Sequence, residues 1–396
     1  MTRPLILHCL DGLGIGGAER QLILLLRHVP RELFTHAVCH LGPRQDMAPG
    51  IEMMAIPVFD LSGGKRMSPL ALVRLLRLIS RLRPALIHAD HDLGKLYGGM
   101  AGGLLRVPVL ATMGNTIPEP VLPPSSPARD PGMKVRLLGW IQGIVSDHTV
   151  CHYMAVNHAV KQSLTADGVP PTRISVVHRG IDLTEFVPDP PERLAHLRRA
   201  LALENAGPVL INVGRLADQK GQDTIIRAMP AIARVHPHVR LLLVGEGPNR
   251  EPYGALAERE GMAGNVQLLG TRHDVRELLQ LADVFVFPSK REGAAGALLE
   301  AMVLARPCVA SRIPALEEVV GESGAGVLVP PGRPDLFAEA VLTLLADPIR
   351  REAMGRQARK LVEQRFDIRS NALEFAGLCT RLINAGCTRR PAEAIP

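Results

Sequence analysis

From one end of this 396-residue chain to the other, short apolar runs alternate with segments of helical period. That alternation admits few folds, chiefly parallel sheets with helices on both faces. Strands are expected at Leu5 to Leu10, His36 to Leu41, Ile56 to Leu61, Ala85 to His88, Pro108 to Met113, His148 to Val156 and Ile174 to Val177. The pattern then starts afresh, with strands near Val209, Leu241, Val266, Val284, Cys308 and Val327. Between the two series lies Phe186-Val187-Pro188-Asp189-Pro190-Pro191, whose three prolines remove backbone donors that regular structure needs. The length favours two or three domains. The pattern therefore reads as α/β, with two Rossmann-like doubly wound parallel-sheet domains in tandem, residues 1–187 and 188–365. Residues 117–132 form a second irregular stretch, rich in proline and serine. A loop of that length is either functional, here as part of an acceptor cleft, or disordered, and both readings stand.

Ligands of open α/β sheets bind beyond the carboxyl ends of the strands, and the second half places three polar turns there. The strand Pro208-Val209-Leu210-Ile211-Asn212-Val213 runs into Gly214-Arg215-Leu216, then Lys220-Gly221 and a helix from Asp223 to Arg234. A glycine turn, a guanidinium, an ammonium and a helix N-terminus together suit a diphosphate. The next strand, Val239 to Val244, ends in Gly245-Glu246-Gly247-Pro248. After Val284-Phe285-Val286-Phe287 and the turn Pro288-Ser289, Glu292 falls where strand gives way to helix, and Glu300 about two turns further on. Carboxylates so placed accept hydrogen bonds from neutral hydroxyls, as a sugar joined to a ribose requires. Alone, the glutamates read equally as a helix-entry charge and a solvated helical residue. Beside the clamp, they complete a site for a nucleotide diphosphate-sugar.

The order Gly214-Arg215, Lys220-Gly221, Gly245-Glu246-Gly247 and Glu292-Gly293 to Glu300 resembles the second domain of retaining family 4 glycosyltransferases of the GT-B fold. Gly16-Gly17-Ala18-Glu19-Arg20, Ile87-His88-Ala89 and Val177-His178-Arg179-Gly180-Ile181-Asp182 carry the resemblance over nearly the whole chain, toward bacterial polysaccharide and lipopolysaccharide enzymes. It implies two domains facing a central cleft, the first on the acceptor side, and a segment 366–396 whose helix crosses back to the first domain. It further implies transfer of a hexosyl residue, with retention, from a UDP- or GDP-sugar to a saccharide or lipid-linked saccharide in envelope or exopolysaccharide biosynthesis. By the same resemblance Arg215, Lys220 and Glu292 are the catalytic residues, the two cations neutralising the leaving diphosphate. Glu292 and the amides of Gly293, Ala294 and Ala295 would orient the sugar hydroxyls, and Glu300 would hold the ribose diol. Arg272 would position the base, and Gly16, Gly17, Gly214 and Gly245 complete the donor contacts.

Two motifs compete with this reading. Gly12-Leu13-Gly14-Ile15-Gly16-Gly17 satisfies the dinucleotide pattern G-x-G-x-x-G. The acidic residue that should end the second strand is missing, because Leu41 is followed by Gly42-Pro43-Arg44, and the loop is assigned to a donor phosphate instead. Asp90-His91-Asp92 is a literal D-x-D, but it lies in the other half from the diphosphate clamp. With Arg215 and Lys220 neutralising the leaving group, neither a metal nor another cofactor is expected. His88, Asp90 and Asn115 are the candidate acceptor contacts. The family's Thr-x-His-Gly turn reads Thr112-Met113-Gly114-Asn115, so glycine stands in the histidine's place, and Asn115 or His88 is the candidate replacement. That departure keeps open a non-catalytic sugar-nucleotide-binding subunit, and a nucleotide-sugar epimerase of the same fold is the enzymatic rival.

No apolar run approaches the roughly 18 to 20 residues of a membrane span, and Met1-Thr2-Arg3-Pro4 leads straight into a strand rather than a signal peptide, so a cytoplasmic location is expected. The six cysteines form no Cys-x-x-Cys pair and read as reduced, buried thiols. Aromatic residues make up only 3%, too few for the stacking platforms that single-stranded nucleic acid needs. Arginine dominates the net charge of +7, with one concentration on Ser68 to Arg83. There Leu72, Leu75, Leu76, Ile79 and Leu82 recur at helical spacing, with Arg74, Arg77 and Arg81 opposite. Such a helix rests either on an anionic membrane surface bearing a lipid-linked acceptor, at the inner face of the cytoplasmic membrane, or on the sheet as an ordinary surface helix.

Overall fold

The computed structural model describes residues 3–14, 16–64, 68–115 and 148–386; the stretch 117–132 and Cys387 lie outside them. The chain divides into two compact units, the first combining Met1–Gly180 with Ile368–Pro396 and the second running from Ile181 to Asp367. In the first, the strands β1 (Leu5–Leu10), β2 (Thr35–His40), β3 (Val58–Asp60), β4 (Leu86–Ala89), β5 (Val109–Met113), β6 (His152–Ala155) and β7 (Ile174–Val176) form a parallel sheet in the order β3-β2-β1-β4-β5-β6-β7. Every expected strand is present, most within two residues of its expected ends. The stretch 148–156 is the most trimmed, because only His152–Ala155 pairs with neighbours.

Helices α1 (Gly17–His28), α2 (Ala48–Glu52), α3 (Pro69–Leu82), α4 (His91–Leu105) and α5 (His158–Ala166) flank this sheet. The amphipathic segment is α3, with Leu75, Leu78 and Ile79 buried. Arg74 departs from the expected solvent face: it is half-buried and donates to the Leu61 carbonyl at 3.0 Å. Arg77 and Arg81 stay exposed, as do Leu70 at 61% and Val73 at 41%.

The last helix, Ile368–Asn384, belongs to the first unit: Ala372, Phe375, Ala376, Leu378, Cys379 and Leu382 share one core with Ile6, Leu86 and Leu110. Gly180 leaves no room for a side chain beside it, since an added Cβ would lie 2.6 Å from the Ile368 Cα. The division falls at Gly180/Ile181 rather than 187/188, and its reason is apolar packing. Ile181 is buried in the core of the second unit, with Leu183 and Phe186 against it, and the Ile181 amide donates to the Phe366 carbonyl at 2.8 Å. The prolines that follow are part of the second unit, where Arg276 and Gln280 bind Asp189.

That second unit holds β8 (Val209–Val213), β9 (Arg240–Val244), β10 (Val266–Gly270), β11 (Val284–Phe287), β12 (Cys308–Ser311) and β13 (Val327–Val329), parallel, in the order β10-β9-β8-β11-β12-β13. Its helices are α6 (Pro191–Ala200), α7 (Gln222–Val235), α8 (Arg250–Arg259), α9 (Val275–Gln280), α10 (Gly296–Val303), α11 (Pro314–Val320), α12 (Pro334–Ala346) and α13 (Pro348–Arg365), which makes the last helix of the chain α14. Val209 and Ile211 enter one core and Leu210 the other. A strand covered on both faces has to be apolar throughout, and this explains the unbroken hydrophobic runs. Strand order reverses between β1 and β4 in one sheet and between β8 and β11 in the other. Such switch points open crevices at the carboxyl ends of the strands, where ligands of this architecture bind. Cys9, Cys39, Cys151, Cys308 and Cys379 are buried and unbridged. Among the described residues no helix is long and apolar enough to cross a membrane.

Candidate active site

At the β8/β11 switch of the second unit two loops are laced together. Gly214 ends β8, and Gly245, just beyond β9 at φ +135°, packs so closely that an added Cβ would overlap the Gly214 carbonyl oxygen. Arg215 follows with its side chain exposed, while its carbonyl accepts from Gln222 Nε2 at 3.1 Å. The same amide nitrogen lies 3.2 Å from Asn212 Oδ1, and Asn212 Nδ2 donates to the Val286 carbonyl at 2.8 Å. This buried polar thread ties the end of β8 to β11 and holds the backbone carrying Arg215. A 3-10 turn, Asp218–Lys220, then presents Lys220. Gly221 follows at φ +64°, where a Cβ would collide with the Pro288 carbonyl oxygen, so only glycine lets the two loops meet.

The result is a contact between two residues expected to act separately: Lys220 Nζ lies 2.6 Å from Glu292 Oε1. The lysine side chain is 24% exposed and the glutamate only 6%, and the ammonium sits 5.7 Å from the centre of the Phe287 ring. Helix α10 begins at Gly296, so Glu292 belongs to the loop before it, and the reading of Glu292 as a helix-entry charge is withdrawn. Gly293 and Ala294 continue this loop. Ala295 caps the helix at φ +44°, a left-handed conformation that costs a non-glycine residue energy and marks an over-determined turn. Glu300 lies in the second turn of α10, half-buried. Arg272, beyond β10, is braced by a two-point pair with Asp274, at 2.8 Å and 2.5 Å.

The first unit has its own polar cluster at the β1/β4 switch. Gly16 caps α1 in extended backbone without a side-chain cap, and Gly17 opens the helix. The Glu19 carboxylate folds back over Gly16, so that a Cβ there would strike its Oε2. Asp11 accepts from the Gly94 amide at 2.8 Å, joining the end of β1 to α4, and burial raises its pKa. Asp90 caps α4 by accepting from the His91 amide at 2.7 Å. Burial pushes its pKa upward, but nearby His91, Arg179 and His88 outweigh this and hold it low. His91 adopts φ +59°, with Nδ1 4.0 Å from Asp90 and Nε2 3.9 Å from Glu19. Burial opposes its protonation, yet Asp90, Asp11 and Glu19 together raise its pKa.

His88 is not the free acceptor contact expected. It is 4% exposed, and its ring nitrogens meet His8 Nδ1 at 2.9 Å and Thr112 Oγ1 at 2.7 Å inside the sheet. Burial lowers its pKa to about 4, so it is a neutral structural imidazole. Asn115 follows β5 at the end of the described segment. The two D-x-D carboxylates are spent apart, Asp90 on the α4 cap and Asp92 on Lys95 at 3.1 Å.

Two family models match the chain, "Glycosyltransferase Family 4" over residues 15–185 and "Glycosyl transferases group 1" over residues 195–361. The chain belongs to glycosyltransferase family 4. It is a transferase, and its activity is glycosyl transfer from a nucleotide-sugar donor. Among curated relatives, a D-inositol 3-phosphate glycosyltransferase of Segniliparus rotundus is 29% identical over 373 residues, covering 87% of this chain and 79% of that one. A GDP-mannose-dependent alpha-(1-6)-phosphatidylinositol monomannoside mannosyltransferase of Mycolicibacterium smegmatis is 35% identical over 210 residues, 50% of this chain and 54% of that one. The fold is GT-B. It superposes on the crystal structure of Anabaena HepE in complex with UDP with a TM-score of 0.80 at 22% identity, covering 95% of this glycosyltransferase and 100% of that chain. WaaG, described as a glycosyltransferase involved in lipopolysaccharide biosynthesis, superposes with a TM-score of 0.73 at 18% identity, covering 95% and 99%.

Several site residues were not assigned from the sequence. Asn212 and Gln222 had no signal, because a buried amide in a loop looks like any polar residue. Glu19 and Arg179 lay inside quoted motifs, but their side chains were given no part.

Proposed function

We propose that this glycosyltransferase moves a hexosyl residue, with retention, from a UDP- or GDP-sugar to a hydroxyl of a saccharide or lipid-linked saccharide used in envelope or exopolysaccharide assembly. The observation that carries the reading is the Lys220–Glu292 pair at the β8/β11 switch, with exposed Arg215 beside it and glycine turns at the flanking strand ends. The barrier to glycosyl transfer lies in departure of the diphosphate and growth of oxocarbenium character, so cations aimed at the leaving group lower it most. Arg215 and Lys220 supply that charge. Glu292, fixed by Lys220, accepts from sugar hydroxyls and the amides of Gly293, Ala294 and Ala295 donate to sugar oxygens, while Glu300 takes the ribose diol and Arg272 the base. No covalent nucleophile is required. As the family resemblance implies, the departing phosphate takes the acceptor proton on the face it leaves.

Two similarities support the donor class. The HepE structures hold UDP and UDP-glucose, and the Mycolicibacterium relative is GDP-mannose-dependent. A thermal-shift screen against UDP, GDP and their common sugars tests the reading, with stabilisation by one nucleotide series expected and a flat response to all of them refuting it. Release of nucleotide with a transferred sugar separates transfer from epimerisation and from mere binding. One observation favours a peripheral membrane location as well: α3 exposes Leu70 and Val73 on a face that continues into Arg77 and Arg81. Apolar and basic groups side by side suit an anionic lipid surface.

A further inference from the structure

The family histidine is replaced by Gly114, and His88 does not fill its place, since its ring nitrogens are consumed within the sheet. The space above Gly114 is nevertheless occupied. A Cβ built there would lie 3.3 Å from Arg179 Nη2, and one on Gly17 would lie 3.9 Å from Arg179 Nη1. Arg179 follows β7, two strands along the sheet from β5. Strand spacing of about 4.8 Å puts these strand ends roughly 10 Å apart, a gap that a long side chain can span. Its guanidinium stands in the field of Asp90 and Glu19, and no ion pair among the described residues consumes its N–H groups.

This guanidinium lines a small cavity of about 50 Å³ at the carboxyl end of the sheet, between α1 and α14, where Asp90, Gln21 and Asn371 stand among mostly apolar side chains such as Leu22, Val177 and Phe375. Asn371 is 3% exposed, and neither its Oδ1 nor Gln21 Oε1 has a hydrogen-bond partner among the described residues. Two carboxylates against one guanidinium leave no surplus positive charge for an anion, while offering both acceptors and planar donors. That combination matches a neutral ring bearing hydroxyls.

We propose that Arg179 takes over the hydrogen-bonding role of the missing histidine and, with Asp90 and Glu19, forms a subsite for an uncharged polyol ring. The ring is the transferred sugar or the acceptor sugar, and the subsite rejects a phosphoryl group. This deepens the glycosyltransferase reading and rests on it. Arg179 touches the ring directly, and its fork lets it donate to two adjacent hydroxyl oxygens at once.

The test compares wild type with Arg179→Ala, Arg179→Lys and the double variant Arg179→Ala/Gly114→His, each checked for native circular dichroism. Calorimetry with UDP and GDP reads the nucleotide alone, for which Arg179 is given no role, so nucleotide affinity stays within about twofold. Release of nucleotide from UDP-glucose and GDP-mannose in water reads the transferred sugar. Saturation-transfer NMR of methyl α-glucoside and myo-inositol on nucleotide-saturated protein reads the acceptor side. At least a tenfold loss in one of the two ring readouts is expected for Arg179→Ala, with partial retention in Arg179→Lys and recovery when an imidazole enters at position 114. Loss of turnover alone identifies the transferred sugar, and loss of polyol binding alone identifies the acceptor. Unchanged values in both readouts overturn the assignment, as does displacement of the polyol by inorganic phosphate. Wild-type protein that binds neither nucleotide refutes the donor reading instead, and polyol binding without nucleotide still decides the role of Arg179.

Discussion

Replacing Lys220 by alanine separates two consequences of one ion pair. The pair is short, at 2.6 Å, and lopsided in exposure, with the glutamate side chain 6% accessible and the lysine 24%. Breaking a fully buried pair by removing one partner costs about 3–5 kcal/mol, because the other charge is left without compensation. The partly wet lysine and the water that fills its place reduce this to roughly 2 kcal/mol. For a domain of the second unit's size that is a fall in Tm of about 4–8 °C. Activity should fall more steeply, since removing one group that stabilises leaving-group charge costs about a hundredfold or more in kcat, near 2.7 kcal/mol.

The double variant Lys220→Ala/Glu292→Gln distinguishes the two effects. With the carboxylate neutralised nothing charged remains buried, so most of the lost stability returns, while turnover stays at or below the level of Lys220→Ala. Urea unfolding followed by circular dichroism, with and without saturating nucleotide, gives the stability arm; nucleotide release gives the other. A folded Lys220→Ala protein that turns over within about threefold of wild type would refute the electrostatic role. Strict additivity of the two stability changes would refute the coupling, because contacting charges are expected to interact by about 0.5–3 kcal/mol.

Three further outcomes are expected. His8, His36 and His88 are neutral in the first sheet, with His36 and His88 lowered to about 4 by burial first. The unfolded chain therefore binds more protons below its histidine pKa, and stability is full above about pH 6.5 and lost as pH falls toward 4, by up to about 3 kcal/mol from His88. Hydrogen exchange in β1, β2 and β4, corrected for intrinsic rates, should show loss of protection over that window, and flat protection would contradict it. On the roles proposed for Arg215 and Lys220, turnover should be insensitive to chelators; activity abolished by chelator and restored by magnesium would overturn that. Flotation with anionic liposomes should be lost in Arg77→Glu/Arg81→Glu, and equal recovery with and without liposomes for wild type would remove the membrane reading.

The strands were legible because a doubly covered parallel sheet demands continuous apolar runs, as in Val209, Leu210 and Ile211, which alternate between opposite cores. The domain seam was not, because prolines advertise irregular backbone rather than lost contact, and Ile181, Leu183 and Phe186 pack before the prolines begin. The loops that carry Arg215, Lys220 and Glu292 were legible because their spacing follows strand ends. That Lys220 and Glu292 touch was hidden, as it depends on Gly221 clearing the Pro288 carbonyl. His88 misled for a plain reason: a polar residue at a strand end looks available until the sheet shows it bonded to His8 and Thr112.

The two switch points carry opposite electrostatics, and the chemistry explains why. After β8 the chain carries two cations, exposed Arg215 and Lys220, the latter paired with the buried carboxylate of Glu292, a balance that suits the departing diphosphate of the proposed reaction. Around β1 and β4 the carboxylates of Asp11, Glu19 and Asp90 outnumber the guanidinium of Arg179, even with His91 inclined to protonate. On the reading proposed for Arg179, a site of that balance discriminates by hydroxyl geometry rather than by charge. Selection among hexoses that differ in one hydroxyl falls to groups that meet the ring, and on the reading proposed above Arg179 is the position to vary in the first unit. A site built to hydrogen-bond a particular hydroxyl rejects the sugar lacking it by leaving its own buried polar atoms unpaired. Asn371, 3% exposed and with Oδ1 unpartnered, has the most to gain from the right ring. Changing Asn371 to leucine should relax sugar selectivity with little loss of nucleotide affinity, whereas a proportional loss for every sugar would show that it only supports the fold.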